Sequence, residues 1–135
     1  MSKHLVLVSH GKLCEGMKDS AEMIMGPQES MHTVSLLPED GPEDFLARFQ
    51  AVVAPLEDYV VFADLLGGTP CNVLSRLIME GQDMELYAGM NLPMLIEYLN
   101  ASLTGLDERY VAKGQAGVVK VNDLLAGFDD DEDDD

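Results

Sequence analysis

Tryptophan is absent from this chain of 135 residues, and all aromatic residues together make up only 6% of it. Hydrophobic residues nevertheless reach 47%, so leucine, valine and methionine have to fill the core of a folded domain. A chain of this length is large enough to bury one such core without disulfides or metal ions. The composition therefore predicts a single globular domain.

Cysteine and long apolar runs are also scarce. Cys14 and Cys71 are the only cysteines, and the sequence does not begin with the basic and apolar pattern of a secretion leader. We expect both cysteines to be reduced thiols in a cytoplasmic protein. The longest apolar runs fall far short of the roughly 20 residues that a membrane-spanning helix requires.

Positive charge is limited to 8 basic side chains against 25 acidic ones, which gives a formal net charge of −17. The seven residues 129–135 are all acidic. An acidic surface repels nucleic acids and anionic membranes, so we predict no nucleic-acid role. We interpret residues 1–128 as the folded domain and residues 129–135 as a disordered, solvated tail.

Short runs rich in valine and leucine alternate with stretches whose apolar residues recur at helical spacing. The short runs predict strands at residues 3–9, 31–36, 59–63 and 84–88. The other stretches predict helices at residues 13–25, 42–53, 70–80 and 92–103. A last, isolated strand is predicted at 116–121, followed by one further turn at 122–126.

Strands that alternate with helices favour an α/β fold, because parallel strands need helical crossovers between them. We predict a single doubly wound domain with a mostly parallel sheet, helices on both faces and a flavodoxin-like strand order. In such sheets, ligands collect at the carboxyl ends of the strands. Three polar segments fall at these ends, at residues 9–11, 64–70 and 89–91.

His10 follows the first predicted strand and Asp64 follows the third. Since these strands are neighbours in a flavodoxin-like order, we expect the two side chains on one sheet edge, close enough to bond. A carboxylate that accepts the Nδ1–H of a histidine leaves the Nε2 lone pair as a nucleophile. The same carboxylate stabilises the cation that forms when Nε2 is substituted. His10 taken alone is explained equally well as a hydrogen-bonded turn histidine.

The segment Gly67-Gly68-Thr69-Pro70 joins the third strand to the next helix. Both glycines permit a positive φ and a close backbone approach. Thr69 is suited to the N-cap of the helix and Pro70 to its first position. A helix that begins beside a glycine turn is a ready phosphate cradle, although the turn alone is also explained as a tight connection. We assign Gly11, Gly67, Gly68 and Thr69 to phosphate binding.

Other polar residues give weaker signals. The histidines and cysteines lack metal-ligand spacing, and the pattern GxxxxGK[ST] of nucleotide-binding loops does not occur. We therefore predict neither a metal nor another cofactor. We expect His4 and His32 to be solvated or hydrogen-bonded residues outside the site, and Met90 is a candidate for a docking surface.

Three segments, VSHGKLCEGM, FADLLGGTPCNVLSRLI and GMNLPMLIE, resemble the IIA component of the mannose-type (mannose/fructose/sorbose) sugar phosphotransferase system. The resemblance runs in matching order over residues 3–121. It implies a phosphotransferase in which His10 accepts phosphate through Nε2 from the phosphocarrier protein HPr, with Asp64 as its orienting partner. His10 then passes the phosphate to a histidine of the IIB component, while sugar enters through the membrane components IIC and IID. Thr69 stands where the family commonly has serine, and either hydroxyl can donate to a phosphate oxygen.

The same resemblance implies a homodimer in which the final strand, at 116–121, is antiparallel and exchanged between subunits. We expect IIB to be a separate partner, and the acidic segment 129–135 is not part of the family pattern. Two alternatives stay open. One is the phosphotransfer subunit of a dihydroxyacetone kinase, which has a similar domain and histidine. The other is a non-catalytic regulatory binding module. The sequence does not name the sugar.

Overall fold

The computed structural model describes the backbone of residues 3–104 and 109–133, and the side chains of residues 3–101 and 109–127. Within these ranges the chain forms four strands and six helices. The strands are β1 (His4–His10), β2 (Met31–Leu36), β3 (Tyr59–Ala63) and β4 (Glu85–Ala88). The helices are α1 (Leu13–Met25), α2 (Pro42–Val53), α3 (Thr69–Met79), α4 (Leu92–Thr104), α5 (Tyr110–Ala116) and α6 (Val121–Asp133). None of these described helices has the length and apolar character needed to cross a membrane.

The four strands form one parallel sheet in the order β2-β1-β3-β4. This order confirms the predicted doubly wound arrangement of the flavodoxin type. β1 and β3 lie at the centre of the sheet, and residues 5–8 of β1 are almost completely buried. Val8 pairs with Ala63, and His10 pairs with Leu36. The carboxyl ends of β1, β2 and β3 therefore meet at one edge.

Helices cover both faces of the sheet, as predicted. α1, α4 and α5 pack on one face over a core that includes Leu5, Phe62 and Leu95. α2 and α3 pack on the other face over a core that includes Val8 and Phe49. Because β1 is buried on both faces, its sequence is a continuous apolar run rather than an alternating one.

The predicted final strand at 116–121 is wrong for the described residues. α5 ends at Ala116, α6 begins at Val121, and the residues between them pair with no strand. α5 instead packs on α4 so closely that a Cβ on Gly117 would lie 2.5 Å from Cγ of Pro93. The β-branched valines suggested a strand, but a strand requires a hydrogen-bonded neighbour. Helix packing determines the local structure here.

α6 extends further than the sequence predicts. The turn expected at 122–126 is part of a helix that continues to Asp133, into the segment expected to be disordered. Helix propagation adds one hydrogen bond for each residue that is fixed, which favours continuation beyond the first turn. Residues 134 and 135 lie outside the described part of the chain, and the domain boundary at residue 128 stays a prediction.

Candidate active site

His10 and Asp64 lie side by side at the carboxyl edge of the sheet. His10 is the last residue of β1, and Asp64 follows β3 directly. The backbone N–H of Asp64 donates to the carbonyl of Val8 at 3.2 Å, which extends the contact between the two strands. Across this edge, Nδ1 of His10 lies 2.8 Å from Oδ2 of Asp64. The structure thus brings together the two residues that the sequence places at neighbouring strand ends.

This contact defines which nitrogen of the neutral imidazole carries the proton. A carboxylate accepts hydrogen bonds and donates none, so Nδ1 carries the proton and Nε2 keeps its lone pair. The side chain of His10 is 45% exposed, whereas that of Asp64 is only 10% exposed. Nothing in the described ranges forms a hydrogen bond with Nε2. His10 therefore presents a lone pair at the surface, with a carboxylate behind the ring.

The two carboxylate oxygens of Asp64 have different surroundings. Oδ2 accepts both Nδ1–H and, at 2.9 Å, the backbone N–H of His10. Oδ1 is buried and has no hydrogen-bond partner in the described part of the molecule. A charge that is poorly solvated interacts more strongly with an opposite charge beside it. Asp64 is thereby suited to stabilise a positively charged imidazolium on His10.

Gly11 forms the turn between β1 and α1, with φ at +56°. Its N–H donates to the carbonyl of Leu36 at 2.7 Å, and its carbonyl accepts the hydroxyl of Ser9 at 3.0 Å. This N–H is therefore already bonded within the protein, and the assignment of Gly11 to phosphate binding stays a prediction. Apart from its chain neighbours His10 and Lys12, nothing lies within 4 Å of the position of a Cβ on Gly11, so this turn leaves open space around Gly11.

The connection from β3 to α3 differs from the prediction in two details. Gly68 is the N-cap residue and α3 starts at Thr69, so the predicted cap at Thr69 is wrong by one residue. Gly67 has φ at +88°, as predicted, whereas Gly68 has an extended backbone with φ at −87° and ψ at 167°. The positive φ therefore explains why a glycine is present at position 67. The backbone conformation of Gly68 does not require glycine, so the reason for that residue lies in its surroundings.

Three backbone N–H groups at this turn, those of Gly67, Gly68 and Thr69, bond to no other group in the described ranges. The side-chain amide of Asn72 donates to the carbonyl of Gly67 at 3.2 Å and holds the turn against α3. The sequence analysis does not identify Asn72 as a site residue. The only feature of the sequence that points to it is its position in the first turn of the helix. Since the N-terminal end of a helix carries partial positive charge, the turn is suited to an anion.

A comparison with family models covers most of the chain. The model EIIA-man, described as the fructose IIA component of the phosphotransferase system (PTS), matches residues 4–112. The chain belongs to this family. The matched range contains His10, Asp64 and the turn at 67–70, and it confirms the resemblance that these motifs suggest.

Individual relatives support the same assignment. The mannose-specific EIIAB component of Escherichia coli K12 is 32% identical over 104 residues, which cover 75% of this chain and 32% of that protein. The chain thus spans about a third of the length of that relative. The fructose-specific EIIA component of Bacillus subtilis 168 is 31% identical over 99 residues, or 71% of this chain and 68% of that protein. The solved mannose/sorbose specific IIA subunit from Enterococcus faecalis superposes with a TM-score of 0.77 at 32% identity, over 89% of this chain and 95% of that chain.

In this IIA component, the third polar segment, residues 89–91, holds two helices in place. Oδ1 of Asn91 accepts the backbone N–H of Met94 at 3.1 Å, and its Nδ2 donates to the carbonyl of Gly114 at 2.8 Å. Asn91 thereby caps α4 and ties it to α5. Met90 is only 9% exposed and belongs to the core, so its predicted place on a docking surface is wrong.

Exposed leucines lie close in sequence to His10 and Asp64, a feature that the sequence analysis misses. Leu65 and Leu66 come directly after Asp64 and are 56% and 78% exposed, while Leu13 is 53% exposed at the start of α1. The only feature of the sequence that points to this pair is its position between an aspartate and two glycines. Apolar side chains that stay exposed around polar groups are typical of protein interaction sites.

A salt bridge connects the end of β2 to α2. The guanidinium of Arg48 donates to Oδ2 of Asp40 at 2.8 Å and to the carbonyl of Ser35 at 2.6 Å. The hydrogen bond from Arg48, followed by that from the backbone N–H of Leu37, lowers the pKa of Asp40. The same bond raises the pKa of Arg48. The pair stabilises the loop that follows β2.

His4 and His32 form a pair at the opposite end of β1 from His10. Nδ1 of His4 lies 2.9 Å from Nε2 of His32, so both are hydrogen-bonded, as the sequence predicts. Burial lowers the pKa of His32, and the positive charges of His4 and Lys18 lower it further. This pair therefore lies apart from His10 and Asp64, as the sequence predicts.

Proposed function

We propose that this chain is the phosphoryl relay of a sugar phosphotransferase system, with His10 accepting phosphate from HPr and passing it to a histidine of IIB. One observation carries the proposal: Nδ1 of His10 bonds Oδ2 of Asp64 at 2.8 Å, while Nε2 has no partner in the described part of the chain. That arrangement suits a nitrogen nucleophile that receives and returns a phosphoryl group.

The transfer is an in-line displacement at phosphorus. The Nε2 lone pair of His10 attacks, a new N–P bond forms, and the N–P bond to the donor histidine breaks. The donor imidazole leaves with the electron pair of that bond. The His10 ring retains its Nδ1 proton and becomes positively charged, and Asp64 stabilises that charge. Since the new bond also joins phosphorus to an imidazole nitrogen, the same steps in reverse deliver the group to IIB.

The turn before α3 is our candidate for the phosphate cradle. The N–H groups of Gly67, Gly68 and Thr69 have no partner in the described ranges, and they adjoin the positive end of an 11-residue helix. The hydroxyl of Thr69 adds a further donor. These groups require no metal or cofactor to hold the oxygens of the transferred phosphoryl group.

Both partners have to reach His10 from the solvent. The exposed leucines at 13, 65 and 66 offer an apolar contact next to the site, and the net charge of −17 favours a partner with a basic surface. We assign this surface, in turn, to HPr and to IIB. The membrane components IIC and IID are then linked to this protein only through IIB, and the protein works in the cytoplasm.

A homodimer is part of the proposal. Val118 and Val119, which follow α5, are 79% and 53% exposed, and β4 is an edge strand whose outer side pairs with no described strand. A cavity of about 290 Å³ lies between them, lined in part by Tyr87, Asn91 and Val118. We propose that a second copy of this chain covers this sheet edge and the exposed valines beside it.

Reconstituted phosphoryl transfer tests the proposal and separates it from the two alternatives. The chain is incubated with phosphoenolpyruvate, enzyme I and HPr, and then with either a IIB protein or the subunits of a dihydroxyacetone kinase. We expect labelling that depends on HPr and onward transfer to IIB. Transfer to the kinase subunits alone would favour the first alternative. A chain that never becomes labelled would favour a non-catalytic regulatory module.

A further inference from the structure

Gly68 lies directly against the imidazole of His10. A Cβ on Gly68 would stand 2.4 Å from Cε1 of that ring and 3.0 Å from its Nε2. Contacts under 3.0 Å are essentially absent for real Cβ atoms, and ordinary van der Waals contact begins at 3.4 Å. Any side chain at position 68 therefore requires the ring or the turn to shift, by about 1 Å if the 2.4 Å contact is to reach the 3.4 Å of ordinary van der Waals contact.

The backbone does not explain this glycine. Gly68 has φ at −87° and ψ at 167°, a conformation open to every residue. Its neighbour Gly67 is the opposite case, because its φ of +88° favours glycine while nothing lies within 4 Å of its Cβ position. Gly67 is thus needed for its conformation, and Gly68 for the space that it leaves to the ring.

The ring is also held by a hydrogen bond to Asp64. Nδ1 of His10 lies 2.8 Å from Oδ2 of Asp64, whose side chain is 10% exposed. A ring displaced by about 1 Å loses good geometry in that bond, because hydrogen bonds weaken steeply with misalignment and length. A side chain at position 68 therefore disturbs the contact with Asp64 as well as the direction of Nε2.

We propose that Gly68 is a positioning residue, whose missing side chain leaves the space that Cε1 of the His10 imidazole occupies. Gly68 and Asp64 together then fix the direction of Nε2. The role in transfer rests on the proposed function, whereas the contact with the ring does not. A displacement of about 1 Å at a reacting group costs roughly 100-fold in rate, so a side chain at position 68 slows transfer by about that factor.

A cycle of variants measures the contact through stability alone. Gly68→Ala and Gly68→Ser are each made in the natural chain and in His10→Ala, and the midpoint of urea unfolding is measured for all of them. Alanine is a poor N-cap residue and serine a good one, so a loss shared by both variants does not come from capping. We expect both to lower the midpoint in the natural chain and to lose that effect once the ring is absent.

Gly67→Ala is the matched control for the cycle. Its positive φ makes alanine costly, but its Cβ position contacts nothing within 4 Å. We expect the same loss of stability from Gly67→Ala with and without the His10 ring. If Gly68→Ala and Gly68→Ser lower the unfolding midpoint equally with and without the His10 ring, glycine is needed at position 68 for backbone reasons. That result would overturn the proposal.

Two further readouts test positioning. The ¹⁵N shifts of the His10 imidazole report the Nδ1–H tautomer, and we expect Gly68→Ser to move them while Gly67→Ala leaves them in place. Single-turnover transfer from phosphorylated HPr is expected to slow about 100-fold in Gly68→Ser. A ring contact found by the cycle with unchanged shifts and an unchanged rate would refute the positioning role. If the natural chain is never phosphorylated, the proposed function fails while the cycle still measures the contact.

Discussion

Oδ2 of Asp64 accepts two hydrogen bonds from the same residue, one from the backbone N–H of His10 at 2.9 Å and one from its Nδ1 at 2.8 Å. A single oxygen thus fixes both the end of β1 and the ring that follows it. Because Oδ1 is buried without a described partner, the carboxylate is poorly solvated on its other side. The ring orientation and its charge stabilisation depend on one carboxylate.

Asp64→Asn separates orientation from charge. The amide oxygen can still accept both hydrogen bonds of His10, but the negative charge that stabilises an imidazolium is gone. A hydrogen bond to a charged group contributes about 1.5–3 kcal/mol, so we expect phosphoryl transfer to slow roughly 10- to 100-fold while the acceptor remains. Rapid-quench measurement of transfer from phosphorylated HPr gives the rate. Glu57→Gln is the control, because it also removes one negative charge but at an exposed position before β3. Equal transfer rates for the natural chain and Asp64→Asn would refute the role of the Asp64 charge.

The leucine pair beside the site is expected to determine partner affinity. Replacing Leu65 and Leu66 by serine removes exposed apolar contacts and leaves the buried core intact, so stability should hardly change. We expect the KM for HPr to rise about tenfold, or ~1.4 kcal/mol, with a smaller effect on kcat. Met23→Ser is the matched control, since Met23 is 88% exposed near the far end of α1. An equal rise in KM from both changes would show that the leucines are not a specific docking surface.

Acid stability is expected to depend on Asp40. The bond from Arg48 lowers the pKa of Asp40 below its ordinary value of 3.8, so the unfolded chain binds this proton more readily than the folded one. The contribution is fully present above pH 3.8 and is lost as the pH falls through the lowered value. Urea unfolding between pH 5 and pH 2.5 should therefore show a shallower acid limb for Asp40→Asn. Exposed Glu39→Gln is the comparison, and an unchanged limb in Asp40→Asn contradicts the assignment.

The histidine pair at the other end of β1 gives a second pH dependence. Burial, followed by the charges of His4 and Lys18, lowers the pKa of His32 below 6.5. The unfolded chain therefore binds this proton first, and stability decreases as the pH falls below 6.5. We expect His32→Gln to flatten the stability profile between pH 7 and pH 5. A natural chain with no slope in that range would contradict this expectation.

Much of the fold was predictable because local and tertiary preferences agree. The strands at 31–36 and 59–63 have their predicted bounds, since each is a short run rich in β-branched or apolar residues bounded by turns. The segment 116–121 was not predictable in the same way. Its valines favour a strand, but α5 packs against α4, and Gly117 at its end lies close to Pro93.

The site shows the same division. His10 and Asp64 follow from parallel-sheet topology, because residues after neighbouring strands must meet at one edge. The bonded N–H of Gly11 and the ring contact of Gly68 depend on three-dimensional neighbours, Leu36 and His10, that no spacing in the sequence encodes. A pattern of glycines predicts a turn. It does not show which glycine is needed for a positive φ and which is needed because a side chain would clash with a neighbour.

The position of the phosphoryl group after incubation with phosphoenolpyruvate, enzyme I and HPr tests the role of His10 most directly. We predict that label enters the natural chain at Nε2 of His10, as read by ¹⁵N and ³¹P NMR, and that His10→Ala takes up none. His4→Gln and His32→Gln, which change the remaining histidines, should retain labelling. Full labelling of His10→Ala, or a phosphoryl group on another residue, would contradict the assignment of His10 as the phosphate acceptor.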